Sequence, residues 1–227
     1  MQNRFKLLTI TLVSILFLFN CSDPTSPNNN SVIWPLKPGN EWLFNIIEPD
    51  WITEKFKRHI IDTLIVNFEG ENYTVSKSTF HFENEPQPEY QWLYWNGPDG
   101  IYFMGGISPK DTFLVKSLQL KYPAQKGDSW QTMHLEYDGY NQKFLVSEHI
   151  EYKLIDNNFY LETPAGNFNC YVYEYISRPV PDQSLKWHYR FYYSPDIGLV
   201  HHETLSEEGF DVKYKYTLSS YISKKLR

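Results

Sequence analysis

The side chains best suited to proton transfer or metal binding in this 227-residue chain are its seven histidines: His59, His81, His134, His149, His188, His201 and His202. None belongs to a His-Glu-x-x-His sequence, and no Cys-x-x-Cys pair occurs, so the usual zinc-ligand spacings are missing. His201 and His202 are adjacent in a predicted strand and therefore point to opposite faces. His188 and His202 could meet across neighbouring strands. The sequence predicts histidines on exposed strand faces, with no metal and no other cofactor.

Ser129 is the best candidate for a nucleophile, because it lies in Gly-Asp-Ser-Trp (127–130). This string resembles the Gly-Asp-Ser-Leu motif of one esterase family, which also needs Asp-x-x-His near its C-terminus and an alternating α/β fold. No histidine here has an Asp three residues before it, and no Gly-x-Ser-x-Gly elbow occurs. No spacing of Asp and Glu singles out a glycosidase pair, and a phosphate-cradling Gly-rich loop is absent. The sequence therefore names no catalytic residue.

A basic stripe is predicted on the polar side of two strands. Lys186, His188 and Arg190 point away from the apolar face of one strand, and Lys213 and Lys215 do so on another. The stripe could bind an acidic partner or lipid head groups. A solvated outer face is the preferred alternative.

The candidate ligand-binding residues are Tyr171, Tyr173 and Tyr175, on a predicted strand that is apolar on both faces (170–176). Such a strand packs its second face on a ligand or partner, or it lies between two packed sheets. The second interpretation is preferred.

The strands that position these side chains are predicted from the alternation of apolar and polar residues. It is clearest in LKWHYRFYY (185–193) and FDVKYKYTL (210–218), and one apolar face opposite one polar face is typical of antiparallel sheet. The 40 aromatic residues, 18% of the chain, suit strands as well. Further strands are predicted at Trp42–Ile47, Phe56–Val66, Tyr73–Phe82, Gln91–Trp95, Thr112–Leu120, Phe144–Leu154 and Cys170–Ile176. The predicted fold class is all-β.

An internal duplication is predicted from two strings 88 residues apart, PLKPGNEW (35–42) and PAQKGDSW (123–130). Both read Pro, three residues, Gly, Asn or Asp, one residue, Trp. Structural roles follow: Gly39 and Gly127 permit a turn with positive φ, while Trp42 and Trp130 begin the next strand facing the core.

Two later features recur in the same order. A turn at Gly70 matches one at Gly166, and QWLYWNGPDGIY (91–102) matches KWHYRFYYSPDIGLV (186–200), which contains the turn glycine Gly198. Coincidence is the alternative, since such turn residues are common in all-β proteins. Half-repeats over 35–121 and 123–221 would join into one barrel-like or sandwich domain, because about 90 residues bury only a marginal core.

The N-terminus has the pattern of an export signal over residues 1–20. Arg4 and Lys6 precede an apolar run of 13 residues, Leu7 to Phe19, which is too short to span a membrane and suits a signal peptide. Leu18-Phe19-Asn20-Cys21 resembles the lipobox of bacterial lipoproteins, although Phe19 and Asn20 are larger than the residues usual there.

The resemblance implies that Cys21 receives lipid and becomes the mature N-terminus; simple secretion is the alternative. Residues 21–31 are predicted to form a flexible tether, followed by a single β domain over 32–227. The expected location is a bacterial cell envelope, with the outer membrane preferred. The formal charge of −6 and pI near 5.6 speak against a nucleic-acid partner.

TPAGNFNCYVYEY (163–175) and YYSPDIGLV (192–200) resemble motifs of exported Gram-negative envelope lipoproteins of unknown function. The resemblance implies a β-rich envelope lipoprotein and no particular reaction. We expect a membrane-anchored, non-catalytic binding or assembly module with an apolar, glycan or protein ligand; an unrecognised envelope hydrolase is the alternative. An aromatic cavity would favour binding, whereas a cleft in which His188, His201 or His202 meets two carboxylates would favour hydrolysis.

Overall fold

A computed structural model describes residues 31–48, 51–86, 90–138, 143–180, 187–206 and 211–224, with only the backbone described at strand residues 48, 51–54, 135–138 and 143–144. The predicted leader, Cys21 and most of the tether lie outside these ranges. Within them, no helix has the length and hydrophobicity that crossing a bilayer requires.

The regular elements of the described part are twelve β-strands. They are β1 (Glu41–Glu48), β2 (Trp51–Phe68), β3 (Glu71–Phe82), β4 (Gln91–Gly97), β5 (Gly100–Ile107), β6 (Thr112–Lys121), β7 (Ser129–Asp138), β8 (Lys143–Thr163), β9 (Gly166–Pro179), β10 (Trp187–Ser194), β11 (Gly198–Leu205) and β12 (Val212–Ile222). All pair antiparallel in one sheet of order β6-β5-β4-β3-β2-β1-β12-β11-β10-β9-β8-β7. The predicted all-β antiparallel fold is confirmed, and of the two forms that the sequence left open, barrel-like or sandwich, it is the barrel-like one.

The sheet curls into a nearly closed barrel whose two edges, β6 and β7, are consecutive in the chain. Side chains bridge these edges: the hydroxyls of Ser117 and Thr132 share a hydrogen bond, and Gln119 Nε2 donates to Thr132 Oγ1 at 3.4 Å. Backbone pairing between β6 and β7 is absent within the described part of the chain, so side chains close the barrel at this edge, whereas β1 and β12 join the two halves by backbone pairing.

One end of the barrel is covered by residues 31–36, which we call the crossing segment. The backbone oxygen of Val32 accepts from the Asp196 N–H at 2.7 Å, in the turn between β10 and β11. The oxygen of Leu36 accepts from Ser76 Oγ at 2.6 Å, on β3. Because these strands lie far apart in the sheet, the segment crosses the barrel from one wall to the other. Its Trp34 is only 2% exposed and belongs to the main core.

The two halves of the chain share the same strand order and the same turn contacts. The N–H of Gly39, at φ 83°, donates to the carbonyl of Ile60 at 2.7 Å. The N–H of Gly127, at φ 96°, donates to the carbonyl of Leu154 at 2.8 Å.

The strand register corresponds as well, since Trp42 lies opposite Arg58 and Trp130 lies opposite Tyr152. These matches support the predicted duplication, which stays an inference about the origin of the fold.

A second apolar cluster lies on the outer face of the first half. Ser76, Tyr94 and Phe103 point inward, so the alternation of β3, β4 and β5 directs their neighbours outward. The fully buried members of the cluster are Val75, Leu93 and Met104. This half therefore has apolar residues on both faces of its sheet.

Candidate functional site

The inner face of the barrel forms a partly open cavity of about 340 Å³, which we call the interior cavity. Aromatic side chains from β4, β8, β9 and β10 are six of the fifteen lining residues that the structure describes, because alternate residues of these strands point inward. The rings are Tyr94, Tyr152, Tyr175, Tyr189, Phe191 and Tyr193. The volume lies within the range of small-molecule sites, roughly 300–1,000 Å³.

The rings on the β7–β10 side touch in a continuous row. Trp130 stacks on Tyr152 with ring centroids 5.2 Å apart and planes at 11°. Tyr152 meets Tyr175 edge-on at 5.0 Å, and Tyr175 meets Tyr189 at 5.1 Å. Contacts of this kind contribute about 0.5–1.5 kcal/mol each beyond area burial, so the wall is held in shape without a ligand.

Burial keeps the tyrosine hydroxyls protonated. It raises the pKa of Tyr193 to about 12 against the opposing charge of Arg58, and it raises the pKa values of Tyr152, Tyr175 and Tyr189 further above the ordinary 10. These groups are thus neutral hydrogen-bond donors at physiological pH.

Arg58 places a positive charge on this aromatic surface. Its guanidinium carbon lies 3.9 Å from the ring centroid of Trp34 and 5.2 Å from that of Tyr94. Its Nε donates to Ser78 Oγ at 3.4 Å. Trp34 reaches Arg58 from the crossing segment, so the positive charge of Arg58 lies at the covered end of the cavity.

Glu148 supplies the carboxylate of the cavity wall. Its Oε2 accepts from Ser177 Oγ at 2.6 Å and from Tyr175 Oη at 3.1 Å. Both donors come from β9, the neighbour of β8 in the sheet. Two neutral donors thus hold the carboxylate in place.

His202 contributes a neutral imidazole. It stacks between Phe191, at a centroid distance of 4.5 Å, and Tyr216, at 5.0 Å. Burial lowers its pKa to about 3, and its Nε2 has no hydrogen-bond partner within the described part of the chain. An unpaired buried nitrogen is costly, and a ligand in the cavity could supply the partner.

Lys186 of the predicted basic stripe lies outside the described residues; His188 and Arg190 lie on the outer face of the second half, where acidic residues neighbour them. His188 Nε2 is 2.9 Å from Glu174 Oε1. Arg190 pairs in register with Glu174 on one side and with Glu203 on the other. His188 is only 7% exposed, so a freely solvated basic face is wrong at this position.

His201 has a similar environment on that outer face. Its Nε2 is 3.4 Å from Glu203 Oε1, and its Nδ1 is 2.9 Å from Thr217 Oγ1. In the described part of the chain, His188 and His201 each meet a single carboxylate, and no group of three His, Cys, Asp or Glu could hold a metal. Ser129 begins β7 on the exposed surface.

The three candidate tyrosines of β9 separate into two roles. Tyr175 lines the interior cavity. Tyr173 is completely buried and donates to the carbonyl of Lys121 at 2.9 Å, while Tyr171 packs edge-on against Tyr122 at 5.2 Å. Only Tyr175 is therefore placed to touch a ligand in this cavity.

The predicted structural residues occupy turns and core. Gly166 and Gly198 have positive φ, at 133° and 100°. Trp42 is 1% exposed, and its Nε1 donates to the carbonyl of Ile197 at 2.6 Å. Trp130, its counterpart, is half-buried against Tyr152.

Sequence reasoning missed Arg58 and Glu148. Arg58 lies in EKFKRHI (54–60), which reads as a basic surface strand. The available signal is the alternation, because Phe56, Arg58 and Ile60 share one face of β2 and their two apolar members face the core. The sequence contains no comparable signal for Glu148, because its place in the cavity wall depends on hydrogen bonds with residues of another strand.

Two solved structures resemble this fold. One is a protein of Bacteroides fragilis described as exported and as having a YmcC-like fold, with a TM-score of 0.53 and 13% identity over 85% of this chain and 100% of that one. The other is a protein of Parabacteroides distasonis described as a lipoprotein, with a TM-score of 0.53 and 12% identity over 85% of this chain and 99% of that one. At this identity the similarity shows the fold alone. No family model and no curated protein matches the chain.

Proposed function

We propose that the chain is an exported protein, anchored by lipid on Cys21 to a bacterial envelope membrane, and that its interior cavity binds a small ligand without transforming it. The outer membrane is the preferred location. The leader pattern supports export and anchoring, as do the two similar structures, described as exported and as a lipoprotein.

The cavity carries the binding proposal. Ligand sites are typically concave and mostly apolar, with a few polar groups that fix orientation. The interior cavity is concave and combines a wall of contacting rings with one guanidinium, one carboxylate, two imidazoles, Gln119 and buried hydroxyl donors, so it is more polar than such sites usually are. Since ring contacts already hold the wall, little ordering would oppose binding.

The test replaces a residue of the cavity wall with a larger one, so that its side chain fills the cavity. Gln119 lines the cavity on β6, whereas Gln131 is exposed on β7. Native mass spectrometry of the full chain, isolated in detergent and mixed with 2-naphthol, counts bound probe molecules per protein. We expect one bound molecule for the unaltered chain and for the control Gln131→Trp, and none for Gln119→Trp.

Binding that survives Gln119→Trp would place the probe outside the cavity and refute the proposal. The same follows if the unaltered chain takes up neither 2-naphthol nor its sulfonate analogue at millimolar concentration. Near-ultraviolet circular dichroism of both variants verifies that they are folded.

A further inference from the structure

We propose that the interior cavity selects a small organic anion carrying a single acidic group, which pairs with Arg58 while the apolar body lies against the tyrosine rings. This inference rests on the proposed function and adds the chemical class of the ligand.

The first observation is that Arg58 has no acidic partner among the side chains that the structure describes. The ion pairs of the described residues involve four lysines and two histidines, and none includes Arg58. Its one hydrogen bond there, to Ser78, uses one of five N–H donors. A guanidinium in a partly buried site is normally paired with an anion, so the remaining donors favour a ligand that supplies one.

The second observation is that Arg58 is fixed before any ligand arrives. Trp34 supports the guanidinium face at 3.9 Å. Trp34 is buried, and its carbonyl accepts from Asn96 Nδ2 at 3.2 Å. A guanidinium held over a ring by a cation–π contact still has N–H donors available, and their planar arrangement suits carboxylate, sulfonate or phosphate oxygens.

The third observation limits the ligand to one acidic group. Glu148 lies on the same cavity wall as Tyr152, Tyr175 and Tyr189, and its charge contributes to raising their pKa values. A second acidic group on the ligand would meet this carboxylate and be repelled. The protonated tyrosine hydroxyls can donate to the polar atoms of a ligand, whereas their rings accept a flat or apolar body.

The test compares two probes that share one bicyclic body. Naphthalene-2-sulfonate carries one negative charge and 2-naphthol is uncharged at pH 7. Native mass spectrometry titrations of the full chain should give at least about tenfold tighter binding of the sulfonate, the preference expected for a charge-assisted hydrogen bond. Arg58→Gln should abolish the preference without abolishing 2-naphthol binding, and Arg58→Lys should retain part of it.

Two further variants serve as a control and as a test of the role of Glu148. Arg178→Gln removes an arginine of β9 outside the interior cavity and should leave both affinities unchanged. Glu148→Gln removes the neighbouring negative charge and should tighten sulfonate binding several-fold, while its amide oxygen can still accept from Tyr175 and Ser177.

Equal affinity of the unaltered chain for the two probes would overturn the anion assignment and leave the binding function standing. A sulfonate preference that persists in Arg58→Gln would overturn it as well, and so would its loss in Arg178→Gln. Failure of both probes to bind would refute the proposed function itself. If near-ultraviolet circular dichroism shows that Arg58→Gln is misfolded, Arg58→Lys and Glu148→Gln provide the test. Weaker sulfonate binding in Arg58→Lys together with tighter sulfonate binding in Glu148→Gln supports the proposal, and a change in the same direction in both variants refutes it.

Discussion

Gly198→Ala should loosen the support beneath Arg58, because Gly198 lies against Trp34. A Cβ at this position would sit 2.5 Å from Trp34 Cδ1 and 3.1 Å from Nε1. Ordinary carbon–carbon contacts are about 3.5–4.0 Å, so the indole must move by about 1 Å. Since Trp34 is 2% exposed, that movement displaces other core side chains.

Two costs add at this position. Overpacking a core costs about 1–3 kcal/mol, and the positive φ of Gly198, 100°, costs an alanine about 1–2 kcal/mol. Gly127→Ala is the matched control, since Gly127 has φ 96° but a Cβ added there would meet nothing within 4 Å. We therefore expect a loss of about 2–5 kcal/mol for Gly198→Ala and about 1–2 kcal/mol for Gly127→Ala.

Urea unfolding followed by tryptophan fluorescence measures both values. Naphthalene-2-sulfonate binding provides a second readout, because displacement of Trp34 weakens the cation–π contact that fixes Arg58. Equal destabilisation by the two alanines, with unchanged sulfonate binding in both, would refute the reasoning that the turn at Gly198 positions Trp34 and thereby Arg58.

Three further outcomes are expected. Cys21→Ser should release the full chain from membranes and abolish labelling by palmitate; a variant that still sediments with membranes, from a parent that was never labelled, contradicts the anchor. His202→Phe should flatten the pH dependence of the free energy of unfolding: the folded-state pKa of His202 is lowered to about 3, so the unfolded chain takes up its proton first, and stability falls as pH drops from about 6.5 towards 3, by up to about 1.4 kcal/mol per pH unit. A slope in urea unfolding that is unchanged by the substitution would exclude this cause. Leu93→Ala, in the outer apolar cluster and 0% exposed, should cost about 2–5 kcal/mol, whereas Ile65→Ala, 71% exposed, should cost under about 0.5 kcal/mol; similar values for the two in urea unfolding would show that the cluster does not stabilise the fold.

Alternation in the sequence was sufficient for the architecture because each strand buries one face in a shared interior. In β10 it predicted one inward face, on which Tyr189, Phe191 and Tyr193 line the cavity. Trp187 belongs to the same face but is 47% exposed, since it lies at the start of β10, at the end of the barrel opposite the crossing segment. Alternation identifies a face and does not show how far the core extends along it.

The outer face of the second half was misjudged for a different reason. Alternation predicted that His188 is solvated, yet it is 7% exposed. Elsewhere on this face, Phe159 from the distal part of β8 packs on Tyr192, with ring centroids 5.4 Å apart. A bulge between Leu154 and Asp156 precedes that part of β8 and changes which residues point to which face. The alternation within one strand does not show whether side chains of another strand cover its outward-facing residues.

The positive charge at the covered end of the cavity comes from a position at which the two halves of the chain have different residues. Arg58 lies opposite Trp42 in the first half, and Tyr152 lies opposite Trp130 in the second. Trp130 stacks on Tyr152 within the aromatic wall, whereas Arg58 lies on Trp34 of the crossing segment.

A second tyrosine at the position of Arg58 would continue the ring wall and leave no cation for an acidic group. A second arginine at the position of Tyr152 would replace part of that wall with a charge and interrupt the row of rings. One residue of each kind produces a cavity with a cation at its covered end and rings along its side. The proposed preference for an anion with an apolar body therefore depends on the difference between the two halves at this one pair of positions.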